Sequence, residues 1–155
     1  MPAVEPRDIT SGQVREARRW ALVTGGAEPP AAVLAHLDAT LGRMPESRRR
    51  EPRWLPPEPF PGLPLKQDAV LVPRIATHLR AVRLPAGRLP VNHQLVIISG
   101  MPADVMIAML GDPLVQAQAD AISRRVDNGY RDYTATRLRD LVIPHHRLAA
   151  ARGAA

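Results

Sequence analysis

Between Asp68 and Asp104 the chain carries Arg74, Arg80, Arg83 and Arg88, together with His78 and His93, and no carboxylate. Guanidinium groups in a segment without acids of its own suit phosphate, because Arg offers a planar fork of donors that meets two anionic oxygens at once. A second cluster follows at Gly129. Tyr130, Arg131, Tyr133, Thr134 and Arg137 place donors, acceptors and a stacking group within eight residues. Those are the groups that read base edges and grip a phosphate backbone. The bland alternatives are a solvated sheet face that uses Arg, and a core or rim aromatic at Tyr133.

Other chemistries find less support. His36, His78 and His93 stand in separate segments, and the adjacent His145 and His146 diverge in most backbones, so no spacing resembles that of metal ligands. No Gly-x-Ser-x-Gly elbow frames Ser11, Ser47, Ser99 or Ser123. Lys66 is the single lysine, and no Gly-rich loop of the nucleotide-binding kind precedes it. A nuclease would want clustered carboxylates near a lysine, the opposite of an acid-free centre.

The elements that must hold the arginines follow from pattern. Ala69–Val72 and Gln94–Ile98 are apolar runs, and Arg80–Leu84 alternates charged with apolar residues, which predicts three short strands. Pro85-Ala86-Gly87 and Pro90 supply turns between the last two. Trp20–Thr24 reads as a further strand. Val33, Leu34, Leu37 and Leu41 recur at helical spacing, predicting a helix over Ala31–Leu41 ended by Gly42. Pro102–Leu110 reads as a second helix. Asp112-Pro113 begins a third, extending to Asp127 and stopped by Gly129, with Arg124 and Arg125 at its end facing the helix dipole. Thr134 or Thr136 caps a last short helix, before a strand at Leu141–Ile143. The six prolines of residues 43–62 exclude a regular helix or inner strand there, and five arginines make residues 43–53 a basic loop or a solvated connector.

With 155 residues, 45% hydrophobic content and 3% aromatics, one domain with an aliphatic core is expected over residues 1–155. No run approaches the roughly 18 apolar residues of a membrane span. There is no cysteine and no visible signal peptide, so a cytoplasmic protein without disulfides is expected. A formal charge of +6 points to a polyanionic partner. Because 20 of the 21 basic residues are Arg, GC-rich codon usage would raise the charge in the same way.

Val70-Leu71-Val72-Pro73-Arg74-Ile75, then Arg80-Ala81-Val82, then Asn92 before an apolar strand follow one another in an order that resembles a known family. So do Gly111-Asp112-Pro113-Leu114-Val115-Gln116-Ala117-Gln118, Gly129-Tyr130-Arg131-Asp132-Tyr133-Thr134 and the closing Leu138-Arg139-Asp140-Leu141-Val142-Ile143-Pro144. The resemblance covers about residues 65–147. It is to the target-recognition domains of type I restriction specificity subunits and to the C-terminal recognition regions of adenine-N6 DNA methyltransferases. It implies an α/β (α+β) fold, a small mixed sheet with helices packed to one side. It also implies a non-catalytic DNA target-recognition module of a modification or restriction-modification system. Duplex DNA and an adenine-N6 methyltransferase subunit would be its partners. The DNA-contacting residues would be Arg74, His78, Arg80, Arg83, Asn92, Arg131, Tyr133, Thr134 and Arg137.

The chain is not expected to be an enzyme by itself. Such a methyltransferase holds the flipped base with an Asn/Asp-Pro-Pro-aromatic loop, and neither Pro29-Pro30 nor Pro56-Pro57 has the flanking residues. S-adenosylmethionine is therefore expected on the partner, with no cofactor in this chain. Two further classes stay open: a basic protein-binding adaptor that retains the recognition fold, and a small nuclease or toxin with an unfamiliar site.

Overall fold

Ala69-Val70-Leu71-Val72-Pro73 is apolar throughout, and the strand it forms is buried along its whole length. A strand with no polar side has none to give to water, so both its faces must be covered. Side chains alternate across it. Val70 and Val72 pack with Leu79, Leu110, Val115, Ala119 and Tyr133. Ala69 and Leu71 pack the other way, with Val4, Ile9, Val82 and Leu84.

The computed structural model describes residues 1–23, 27–48, 51–55, 67–92 and 94–144. In chain order the elements are β1 (Pro2–Val4), β2 (Ile9–Thr10), β3 (Gln13–Val14), β4 (Arg19–Trp20), α1 (Ala31–Leu41), β5 (Ala69–Pro73), β6 (Ile75–Ala76), β7 (Val82–Leu84), β8 (Leu89–Pro90), β9 (Gln94–Ile97), α2 (Ala103–Leu110), α3 (Pro113–Ile122), β10 (Arg124–Arg125), β11 (Arg131–Asp132) and α4 (Ala135–Leu138). The fold is α+β. Read from its sequence as one domain over 1–155, the chain divides into two compact units, Met1–Ala21 with Leu65–Ala155, and Leu22–Pro64.

In the larger unit β5 is the middle strand of an antiparallel sheet, β7-β5-β9. Leu71 stands opposite Val82 on one side and Val96 on the other. Pro73 sits at the last position of β5, where a residue without an N–H costs the ladder least. Helices α2 and α3 cover the Val70–Val72 face, while Val4, Ile9 and Val14 of the N-terminal segment cover the other. Strand β1 lies between β4, antiparallel, and β8, parallel, so that sheet is mixed. A third sheet, β10-β11-β6, is antiparallel throughout. Within the smaller unit, α1 spans the expected residues, and Arg53 pairs with Asp38 at 2.9 Å.

Several boundaries differ from the sequence reading. The strand expected over Arg80–Leu84 is confined to Val82–Leu84, and that expected from Trp20 is Arg19–Trp20. Helix α3 begins as predicted, with the Asp112 side chain accepting from the Leu114 N–H at 2.9 Å, but it ends at Ile122 and not at Asp127. Ser123 is extended, at φ −73° and ψ 150°, and turns the chain into β10. Arg124 and Arg125 are therefore strand residues and do not cap a helix. Gly129, at φ 76°, closes the β10–β11 hairpin beside Asn128, whose φ of 59° lies in the same left-handed region. Leu141–Ile143 forms no ladder. The Gln118 amide takes a strand's place, donating to the Val142 carbonyl at 2.9 Å and accepting from its N–H at 3.0 Å. Among the expected features, Thr24, His93, residues 56–66 and His145–His146 lie outside the described residues.

Candidate functional site

The sheet β10-β11-β6 gives the second arginine cluster its shape. Arg124, Asp132 and Ile75 stand in register across its three strands, and so do Arg125, Arg131 and Ala76. Residues in register share a face. Ala76 belongs to the core, so its row faces inward; Ile75 is 42% exposed, so the Arg124–Asp132–Ile75 row faces out.

Arg74 leaves the end of β5 and reaches this outer row. Its Nε donates to Asp132 Oδ1 at 2.6 Å and its Nη2 to Oδ2 at 2.9 Å. These hydrogen bonds hold the Asp132 carboxyl below its usual pKa, against the burial that opposes them. The charges of Arg74, Arg124 and Arg137 lower it further. The Arg74 side chain is 39% exposed, so the pair stabilises the fold by no more than about 1 kcal/mol. Its larger consequence is geometric. A guanidinium has five N–H groups; Asp132 accepts from two, and the other three have no hydrogen-bond partner among the described residues.

Arg137 is in the last turn of α4, which Thr134 caps by accepting from the Arg137 N–H at 3.4 Å. Arg124 is exposed, and neither it nor Arg137 has an ion-pair partner by contact among the described residues. Arg80 and His78 are exposed as well, with Thr77 Oγ1 3.2 Å from His78 Nδ1. Tyr130 is 44% exposed beside the hairpin turn.

The other expected contact residues are occupied within the fold. Tyr133 is 1% exposed, and its hydroxyl donates to Asp120 Oδ1 at 3.3 Å. Alternation places it there, since Asp132 points out and the next side chain must point in. The expected base reader is thus a core residue. Burial first, then the Asp120 carboxylate, push its phenol up to about 12. Arg131 lies on the inward row, where Nη1 donates to the Asp120 carbonyl at 2.7 Å and to Ser123 Oγ at 3.2 Å. Arg83 bridges Asp68 at 2.8 Å and Asp104 at 2.5 Å, the two acids that bound the acid-free segment. Asn92, at φ 60°, donates to Glu5 Oε1 at 2.8 Å. The segment is acid-free in sequence but not in space.

Arg124 and Asp132 were missed because a helix was read through residue 124. The signal was present. Asn128-Gly129 between two short polar segments is a hairpin turn, and pairing about it sets Arg124 against Asp132. Among the described residues no three His, Asp or Glu side chains gather as metal ligands, and no helix is long and apolar enough to cross a membrane. Set beside protein-family models, curated proteins and solved structures, the chain matches none.

Proposed function

We propose that the chain is a non-catalytic DNA target-recognition module of a modification or restriction-modification system. It would act with an adenine-N6 methyltransferase subunit that supplies S-adenosylmethionine and the base-flipping loop. The observation that carries this reading is the outer face of β10-β11-β6, where Arg74 is bonded to Asp132, Arg124 stands opposite it in register, and the charge of Arg137 also acts on the same carboxyl. Arg74 is fixed by a strand end and a bidentate bond, Arg124 by a strand and Arg137 by a capped helix. A cationic face on rigid elements is what registers a protein on a phosphate backbone. Exposed Arg80, His78 and Tyr130 add donors and a stacking face. Among the expected contact residues, Arg74, His78, Arg80 and Arg137 remain available to a ligand; Arg83, Asn92, Arg131, Tyr133 and Thr134 support the frame.

A protein-binding adaptor is the second reading. An open apolar groove of about 550 Å³, lined by Leu114, Ala117, Gln118, Ala121, Val142 and Pro144, favours it. Leu114 and Val142 are 61% and 69% exposed along it, and a contiguous exposed apolar patch is a surface that a protein partner covers. An electrophoretic shift on a random-sequence duplex pool separates the two. Retardation at low salt, with one sequence enriched through rounds of selection, supports recognition. A pool that is never retarded leaves the adaptor.

A further inference from the structure

We propose that Arg74, Arg124 and Arg137 form a seat for one phosphodiester group of a DNA duplex, in which Asp132 is a positioning residue that sets the angle of Arg74. The inference rests on the recognition reading above and deepens it. Three observations converge. The Asp132 carboxylate takes one edge of the Arg74 guanidinium and leaves its other N–H groups without a partner among the described residues, on a side chain that is 39% exposed. Arg124 stands directly across the strand pair from Asp132, on the outward face. Arg137 lies five residues beyond Asp132 on a helix that starts from a capped threonine. Three cations against one carboxylate leave a net of +2 at the seat (3 − 1), more than one phosphodiester neutralises. The side-chain freedom that Arg74 would otherwise lose on binding is already restricted by Asp132, which is how preorganised donors gain affinity.

Simple electrostatics and positioning make opposite demands on Asp132. If it were only a negative charge near a polyanion site, removing that charge would tighten duplex binding. If it sets Arg74, removing the charge frees the guanidinium and weakens binding although net charge rises.

The test is duplex binding by fluorescence anisotropy over a salt series, with the full chain and its Arg124→Ala, Arg137→Ala, Asp132→Asn and Asp132→Glu variants. Beside it, inorganic phosphate is titrated against the Arg side-chain N–H signals in NMR spectra. Arg124→Ala and Arg137→Ala should each weaken duplex binding several-fold at low salt, and losing the seat altogether should flatten the slope of log affinity against log salt by about 0.9. Asp132→Asn should weaken binding several-fold, and Asp132→Glu should recover most of the loss. Circular dichroism melts check folding. Should Asp132→Asn fail to fold, the Arg124 and Arg137 variants decide, since neither side chain bridges an acid among the described residues. Duplex binding that survives these variants unchanged, or tightens in Asp132→Asn, overturns the seat and leaves DNA recognition standing. Phosphate-shifted Arg signals without duplex binding by the wild type keep an anion seat and overturn DNA recognition. Neither response overturns both.

Discussion

Tyr133→Phe removes one oxygen from a residue with 1% exposure, and its effect should reverse sign with pH. At neutral pH the change deletes the hydrogen bond to Asp120. A net hydrogen bond contributes about 0.5–1.5 kcal/mol, and the Asp120 side chain, 44% exposed, can rehydrate. The loss therefore falls at the low end, about 0.5–1 kcal/mol. At alkaline pH the balance changes. The phenol titrates at about 12 in the folded chain, against an ordinary value of 10. A raised folded value means stability that is full below pH 10 and lost as pH climbs toward 12, because the unfolded chain releases its proton first. Each pH unit between the two values is worth about 1.4 kcal/mol, so the wild type loses about 3 kcal/mol across that window and the variant none of this part. The two should cross between about pH 10 and 11. Urea unfolding of both proteins at half-unit steps from about pH 7 to 11.5 measures the difference, and other titrating groups cancel in it. A variant that stays less stable than wild type by the same amount up to pH 11.5 refutes the buried, Asp120-bonded phenol. Duplex binding should be unchanged by this substitution at neutral pH.

Three further outcomes are expected. Because the Asp132 carboxyl is held below its ordinary range, its contribution is present above that range and is lost as pH falls through the folded value; Asp132→Asn should remove this part of the acid-side loss in urea unfolding. Gln118→Ala deletes both bonds to the Val142 backbone at a partly exposed site, costing about 1 kcal/mol and speeding hydrogen exchange at the Val142 amide; unchanged exchange would mean that other contacts hold residues 141–144. Leu71→Ala, at 0% exposure between two covered layers, should cost about 2–5 kcal/mol in chemical denaturation with an unchanged denaturant slope.

The elements legible in the sequence were those whose pattern is local. The apolar run of β5, the helical spacing of α1 and the Asp-Pro start of α3 each state their structure within a few residues. The end of α3 was not legible from its apolar spacing, because Val126 falls where a fourth helical turn would place it. Only the pairing of β10 with β11 converts residues 124–125 into strand. The site shows the same division. That arginines matter could be read from composition, but which of them remain exposed could not. The acid that binds Arg74 lies 58 residues away in sequence, and Arg83 is claimed from both ends of its segment. Tyr133 was misjudged for a different reason. A two-residue strand, too short to show alternation, decides which way it points.

The proposed recognition of duplex DNA is tested most directly by the salt dependence of wild-type binding to a random-sequence duplex, measured by fluorescence anisotropy from about 20 to 300 mM salt. The single phosphate seat of Arg74, Arg124 and Arg137 contributes about 0.9, so affinity should fall linearly on a log–log plot with a slope of about −0.9 or steeper. No binding at the lowest salt, or a slope near zero, would contradict it.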